Sequence, residues 1–564
     1  MDVSSGSRVG GEVVTVQMGT YANDVGAHYW NLLTTAAATS ARGKARGEVV
    51  EEEQQEERER PRSVMWRATG GHQQRQLQPR VLVLDRKGNY SPHAYAASSL
   101  RTTATPAPPH HPQSGASVLC LPPLPTKREQ AVEATTHQPV SGRVERVQMS
   151  DDQSQQRKGE GEERQRSGAK EGDGDEEEEE EGRAEEERRR AEAQVGAWGE
   201  YWGDGGAGAP LHPRCLWEVP HSLPLVTWDH GAALLRHHPD HREEVEDRLR
   251  FLLEECDCVD GFQLLVDVDD GWGGAASEVI ELIRDDFPRT PLLTFALGHP
   301  RRSRTPVEDE TRLINRVMAL QRLSDRDSNL SSLVVPLQPL HWPAFPHLAL
   351  PADSEYHSSA VAAMAIASAT APWSSRAGPS SMASVVTGEL RVANMPVAAL
   401  SLSLPFPAAG LRDGRVPSGM PLYAADFVRG LSFPAPLPQL APAAEAISVA
   451  GLEASERWFT QHLGQYSVLN RFLFMEEKPV AIPSTYPWFF KPASSAPYGT
   501  RATAVPVLSH VQVTKAIAPS LQVLAKQASN VSKARAVAVA GEEWAEAQEQ
   551  LHGLASAYTP DSDD

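Results

Sequence analysis

The sequence predicts an α/β protein: a mostly parallel sheet with helices on both faces, interrupted by long disordered inserts. Two observations carry the fold. Short runs of strand length alternate with amphipathic stretches of helix length. The runs are apolar at consecutive positions, as strands covered on both faces require. A third observation carries the inserts. Proline and glycine number 44 and 41 in 564 residues and aromatic residues make up 6%, with a mean hydropathy of -0.41. That balance is too polar for a chain packed along its whole length.

The β-branched run at 13–16 reads as a buried strand, Gly19 as the turn after it, and 27–33 as a helix with a bulky apolar side. Residues 35–78 are assigned to a low-complexity insert, because 35–64 are rich in alanine, glutamate and arginine without a stable period. Order returns at 80–85, a second buried strand ending in Asp85. Residues 93–195 form a second expected insert, Pro/Ser-rich and then acidic, with glutamates throughout 176–181 followed by Arg188, Arg189 and Arg190. Like-charge blocks of this kind repel and stay solvated.

From Trp198 the chain is globular again. Asp240 and Glu243 have capping-box spacing ahead of Val245, Leu249, Leu252, Leu253 and Cys256, which recur at helical intervals. FQLLVDV at 262–268 is a strand, and a glycine-rich turn leads into a helix through Val279, Ile280, Leu282 and Ile283. Residues 292–297 are a strand, 311–323 a helix with Leu313, Val317 and Leu320 on one face, and 333–335 a strand. The alanine-rich run 361–371 reads as a buried helix, too short to span a membrane. Prolines recur from 405 to 442, and a last helix at 542–558 places Trp544, Leu551 and Leu554 on one side. Segments 8–34, 79–92 and 196–375 are thus assigned to a first domain, 376–558 to a second, and 559–564 to an acidic tail.

Composition excludes several functions. A net charge of -20 opposes broad nucleic-acid binding, which needs a basic face. Cys120, Cys215, Cys256 and Cys258 are too few and scattered for a disulfide framework. Neither a secretory nor a matrix-targeting pattern opens the sequence. His237, His238 and His241 with Asp240 crowd one stretch without metal-ligand spacing, and read as a helix entry. Neither G-x-S-x-G nor a Walker loop is present, and the sequons at Asn329 and Asn530 read as chance matches.

Three segments carry a resemblance. VVTVQMGTYANDVGAHYWNLL at 13–33 resembles the first strand, phosphate loop and first helix of tubulins. PRVLVLDRKG at 79–88 resembles the tubulin strand that ends in a metal-side aspartate, and CDCVDGFQLLVDVDDGWGGAASEVIELIRDDFP at 256–288 resembles the strand, glycine-rich loop and helix of tubulin. Their order, with the departures below, identifies the chain as resembling the Misato family. The resemblance implies a tubulin/FtsZ-like Rossmann-type domain followed by a second α+β domain. It also implies a role in mitochondrial distribution, morphology and inheritance, in the cytoplasm and peripherally on the mitochondrial outer membrane. Implied partners are outer-membrane or cytoskeletal proteins, including tubulin and tubulin-folding chaperones.

The implied nucleotide positions are Gly19, Thr20, Asn23, Gly26, Asp85, Asp269, Asp270, Gly271, Gly273 and Gly274. The departures are chemical. Asp269 and Asp270 replace glycines of the phosphate loop, Trp272 stands where a small hydroxyl residue would meet phosphate, Ala22 replaces a glycine, and Lys87 replaces a metal-side glutamate. The N-x-D-x-x-E pattern of the activating loop is missing. A carboxylate ~4 Å from a phosphate charge costs from ~1 kcal/mol in water to ~4 kcal/mol near a protein surface. Neither a catalytic residue, a metal nor a GTP cofactor is therefore expected. Asp269 or Asp270 reads as a helix cap and the glycines as a tight turn. The alternatives left open are a divergent, filament-forming GTPase with a cation-bridged site and a tubulin or microtubule assembly factor.

Overall fold

The computed structural model describes residues 11–44, 64–69, 76–90, 186–187, 190–203, 211–324, 331–351, 353–375, 378–407, 421–433, 439–452, 466–491 and 502–559. The acidic tract 176–181, Cys120, Asn329 and the tip 560–564 lie outside them.

The first domain is a six-stranded sheet in the order β5-β4-β1-β6-β7-β8. Its strands are β1 (Glu12–Met18), β4 (Val81–Arg86), β5 (Leu216–Val219), β6 (Val259–Asp267), β7 (Leu292–Leu297) and β8 (Ser332–Leu337). Every adjacent pair is parallel. The chain leaves β1 toward β4 and β5, then returns to β6 on the other side, so the order reverses at β1. In open parallel sheets that switch point opens a crevice at the carboxyl ends of the strands, where ligands sit. The ends of β1, β4 and β6 all face it.

The flanking helices are α1 (Thr20–Lys44), α2 (Trp228–Arg236), α3 (Pro239–Leu253), α4 (Trp272–Asp286), α5 (Pro306–Leu323) and α6 (Glu355–Ser374). Helix α6 is buried almost all round, because it packs on α1 and also on strands of a second sheet. That sheet runs β10-β9-β15-β11-β12, with β9 (Ala399–Ser403), β10 (Arg429–Gly430), β11 (Ala444–Ala450), β12 (Asn470–Glu476) and β15 (Val507–Val513). Only its β11–β12 pair is parallel. The last helices, α7 (Ala518–Ser529), α8 (Lys533–Ala540) and α9 (Trp544–Tyr558), return to the first domain and pack on α5. Arg322 and Glu543 pair there at 2.6 Å.

Several boundaries differ from the sequence reading. Helix α1 continues to Lys44, past the expected insert boundary at 35, because the alanines after Leu33 favour helix without needing burial. Part of the 35–78 insert is a hairpin, β2 (Trp66–Thr69) with β3 (Gln76–Pro79). Met65 beside it is fully buried, and the Val13 amide donates to the Val64 carbonyl at 3.0 Å. The insert assigned to 93–195 ends earlier than expected, since Ala191 and Glu192 are buried. Asp240 and Glu243 form no capping box. His238 precedes Pro239 at the first helical position, which starts α3 one residue before Asp240. The capping box present belongs to α2, between Thr227 and His230. Helix α5 starts at Pro306, capped by the Thr305 side chain.

Candidate functional site

The crevice is built from three strand ends. After β1, Gly19 turns the chain at φ 113° and α1 begins. A helix N-terminus there offers free N–H groups and a positive dipole end, the usual seat of a phosphate. Here the seat is taken by Asp267, the last residue of β6. Its Oδ2 accepts from the Tyr21 amide at 3.0 Å and its Oδ1 from the Ala22 amide at 2.8 Å. A Cβ on Gly19 would lie 2.2 Å from the same carboxylate. The glycine therefore makes room for an internal anion. Burial pushes the Asp267 carboxyl well above its ordinary range, with the charge of Asp270 adding to it, while the Tyr21 and Ala22 amides pull it back. Asn23 donates to the Leu84 carbonyl at 3.1 Å, and Gly26 gives space to the Gln17 side chain.

The turn after β6 is closed in the same manner. Asp269 takes a fork from Arg316 of α5, with Nη2 to Oδ1 at 2.7 Å, Nη2 to Oδ2 at 2.9 Å and Nε to Oδ1 at 2.9 Å. Its Oδ2 also accepts from the His299 amide at 2.9 Å. Asp270 accepts from the Trp272 amide at 2.9 Å, covering one N–H at the start of α4. Both aspartates thus bind groups of this chain, but neither is the N-cap of α4. That position is Gly271, without a side-chain cap bond, and Asp270 instead closes the turn just ahead of it. The glycines serve helix packing. A Cβ on Gly274 would meet the Trp228 carbonyl oxygen at 2.0 Å, one on Gly231 the Gly271 carbonyl oxygen at 1.6 Å, and one on Gly273 the Ala319 Cβ at 2.9 Å. They let α2 and α5 lie directly on the turn, and the Gly271 amide donates to the Leu225 carbonyl at 3.0 Å. Trp272, the first residue of α4, is buried as well.

Burial pushes Asp270 up to about 7, aided by the charge of Asp269. A carboxyl raised in the folded state holds its proton longer than in the unfolded chain. Its ionisation therefore costs nothing below about pH 4, costs more as pH rises, and reaches its full value above about 7. Asp270→Asn keeps the acceptor for Trp272 and removes the charge. The variant should gain stability over the parent progressively as pH rises from about 4 to about 7. Urea unfolding across that range measures it, and parallel curves would exclude the buried charge.

Asp85 closes the third strand end. It accepts from Thr20 Oγ1 at 3.0 Å, the Arg86 amide at 2.7 Å, Asn89 Nδ2 at 3.2 Å and Trp198 Nε1 at 2.5 Å. A cation seeking this carboxylate would have to displace those donors. Lys87 is exposed and uses its amide on the Val219 carbonyl. Among the described residues, no group of three or more His, Cys, Asp or Glu is arranged to hold a metal, the histidines at 237–241 included.

Sequence reasoning missed the occupant of the crevice, a segment just after the acidic tract. Trp198 is fully buried and stacked on Tyr90, with ring centroids 5.0 Å apart. Tyr201, also fully buried, donates to Asp24 Oδ1 at 2.6 Å and stacks on His28 at 4.5 Å. Burial holds Asp24 and Tyr201 both well above their ordinary ranges, and brings His28 down to about 3. The signal was the cluster Trp198, Tyr201 and Trp202 in an aromatic-poor chain, soon after a run of glutamates. Asp267, Asp24 and Arg316 carried no comparable mark.

Two family models match the chain. One, described as the Misato Segment II tubulin-like domain, covers residues 11–154, and a Tubulin domain covers 212–376. The human Protein misato homolog 1 is 25% identical over 601 residues, 97% of this chain and 98% of that protein. Protein misato of Drosophila melanogaster is 30% identical over 227 residues, 37% of this chain and 38% of its own. Protein DML1 of Gibberella zeae is 28% identical over 227 residues, 38% of this chain and 44% of its own. With a Rossmann-ordered parallel sheet beneath these matches, the chain belongs to the Misato family and carries its tubulin-like fold.

Proposed function

We propose that this protein organises mitochondria as a tubulin-like scaffold without GTP turnover. It acts through its surfaces on mitochondrial distribution, morphology and inheritance, from the cytoplasm and peripherally at the outer membrane. Family membership supports the mitochondrial role, and the crevice supports the lack of turnover. The observation that carries the reading is the Asp267 carboxylate on the Tyr21 and Ala22 amides. A phosphate in that seat would displace one anion and still face Asp85 and Asp270, each pairing at ~4 Å costing between ~1 and ~4 kcal/mol. A peripheral location fits the described residues, none of whose helices is long and apolar enough to cross a membrane. The partners are outer-membrane or cytoskeletal proteins, tubulin and its folding chaperones among them.

Calorimetry of the whole chain with Mg²⁺–GTP should give no saturable heat at millimolar nucleotide. Tight binding, lost in Asp269→Ala with Asp270→Ala, would instead favour a cation-bridged GTPase. Mitochondria should collapse or redistribute on depletion and recover with the parent protein. Recovery by a form that only co-sediments with microtubules would favour the assembly-factor reading.

A further inference from the structure

We propose that the crevice is a peptide-binding site for a tryptophan- and tyrosine-bearing segment, filled in this chain by its own residues 190–203. The proposal rests on the reading that nucleotide does not occupy the site, and adds what does. The contacts have the character of ligand recognition. The indole N–H of Trp198 and the phenol O–H of Tyr201 each donate to a buried carboxylate, Asp85 and Asp24, at 2.5 and 2.6 Å. Flat aromatic walls receive the rings, Tyr90 against Trp198, and His28 with Tyr356 against Tyr201.

The segment's backbone is read as well. Asn31 donates through Nδ2 to the Tyr201 carbonyl and accepts the Gly203 amide at 3.1 Å, and the Gly199 amide donates to the Asn89 carbonyl at 3.3 Å. At its leading end buried Glu192 pairs with His357 of α6 at 3.3 Å and accepts from the Trp488 amide at 2.9 Å. Residues 198–203 belong to no strand of either sheet, so side-chain pockets and these anchors hold them. Buried carboxyl oxygens that accept N–H and O–H, set between aromatic rings, suit an aromatic peptide and offer a phosphate no donor.

The test cuts the segment free in the full chain. Protease sites inserted after Glu181 and after Gly206 release residues 182–206 as a peptide of parent sequence. The released piece should co-elute with the body. A fluorescent peptide of residues 190–203 should exchange with it saturably. The same peptide with Trp198→Ala and Tyr201→Ala should compete about 30-fold or more weakly, the loss expected when two buried aromatic anchors are removed. Departure of the piece, equal competition by the alanine peptide, or unfolding of the body on release would each overturn the proposal. Mg²⁺–GTP binding to the uncut chain would instead sink the functional reading, and the two failures are distinguishable.

Discussion

Trp198→Ala is expected to destabilise the protein by about 3–5 kcal/mol, the cost of emptying a buried large aromatic site. The indole is fully buried beside Tyr90 and Trp202. Its loss also removes the shortest donor to Asp85, a carboxylate that burial already holds above its ordinary range. The void is therefore lined by a less satisfied acid as well as by bare rings. A urea titration followed by Trp fluorescence measures the shift in midpoint. Trp198→Phe, which keeps most of the volume and drops the N–H, should recover more than half of the loss. A midpoint within experimental error of the parent for the alanine variant would show that the segment adds nothing to the body.

The second large effect is expected at Arg316. Arg316→Met should cost about 2–4 kcal/mol, because it leaves the buried Asp269 charge without its counter-ion. The guanidinium is partly exposed, with 26% of its side chain accessible against 7% for Asp269, which places the value below that of a fully buried pair. Asp269→Asn in the same chain should return much of the loss, since the amide oxygen still accepts from the His299 amide while the charge is gone. A double-mutant cycle gives the coupling directly. Additive losses would mean that Asp269 and Arg316 do not act as a pair.

The central strands were legible for a physical reason. Parallel strands covered on both faces must be apolar at consecutive positions, so FQLLVDV and the run at 292–297 announced β6 and β7. Strand β5 has four residues that alternate between partly and fully buried, and left no such run. Helix α2 is short and holds Gly231 within its first turns, which weakens a helical pattern, although that glycine is what lets α2 touch the turn of α4. At the site, the acidity of Asp269 and Asp270 could be read, and the resemblance gave their place at the crevice. Their partners could not be read. Arg316 lies 47 positions from Asp269, and Trp198 lies 113 from Asp85. Each pair meets within one half of the sheet, Asp269 and Arg316 on the side of β6 to β8 and Asp85 and Trp198 on the side of β4 and β5. Only the folded layers bring such distant residues together.

Helix α6 ties the crevice to the rest of the molecule. Its first turn carries Glu355, paired with Arg301 at 2.9 Å, and His357, paired with Glu192. Along its 20 residues, about 30 Å, it lies against β11 and β15 of the second sheet. A rod gripped at one end and embedded along its flank cannot tilt at one end alone. Shifting Glu192 should therefore change amide exchange in β11 and β15, making the second sheet a remote gauge of whether the aromatic segment is seated.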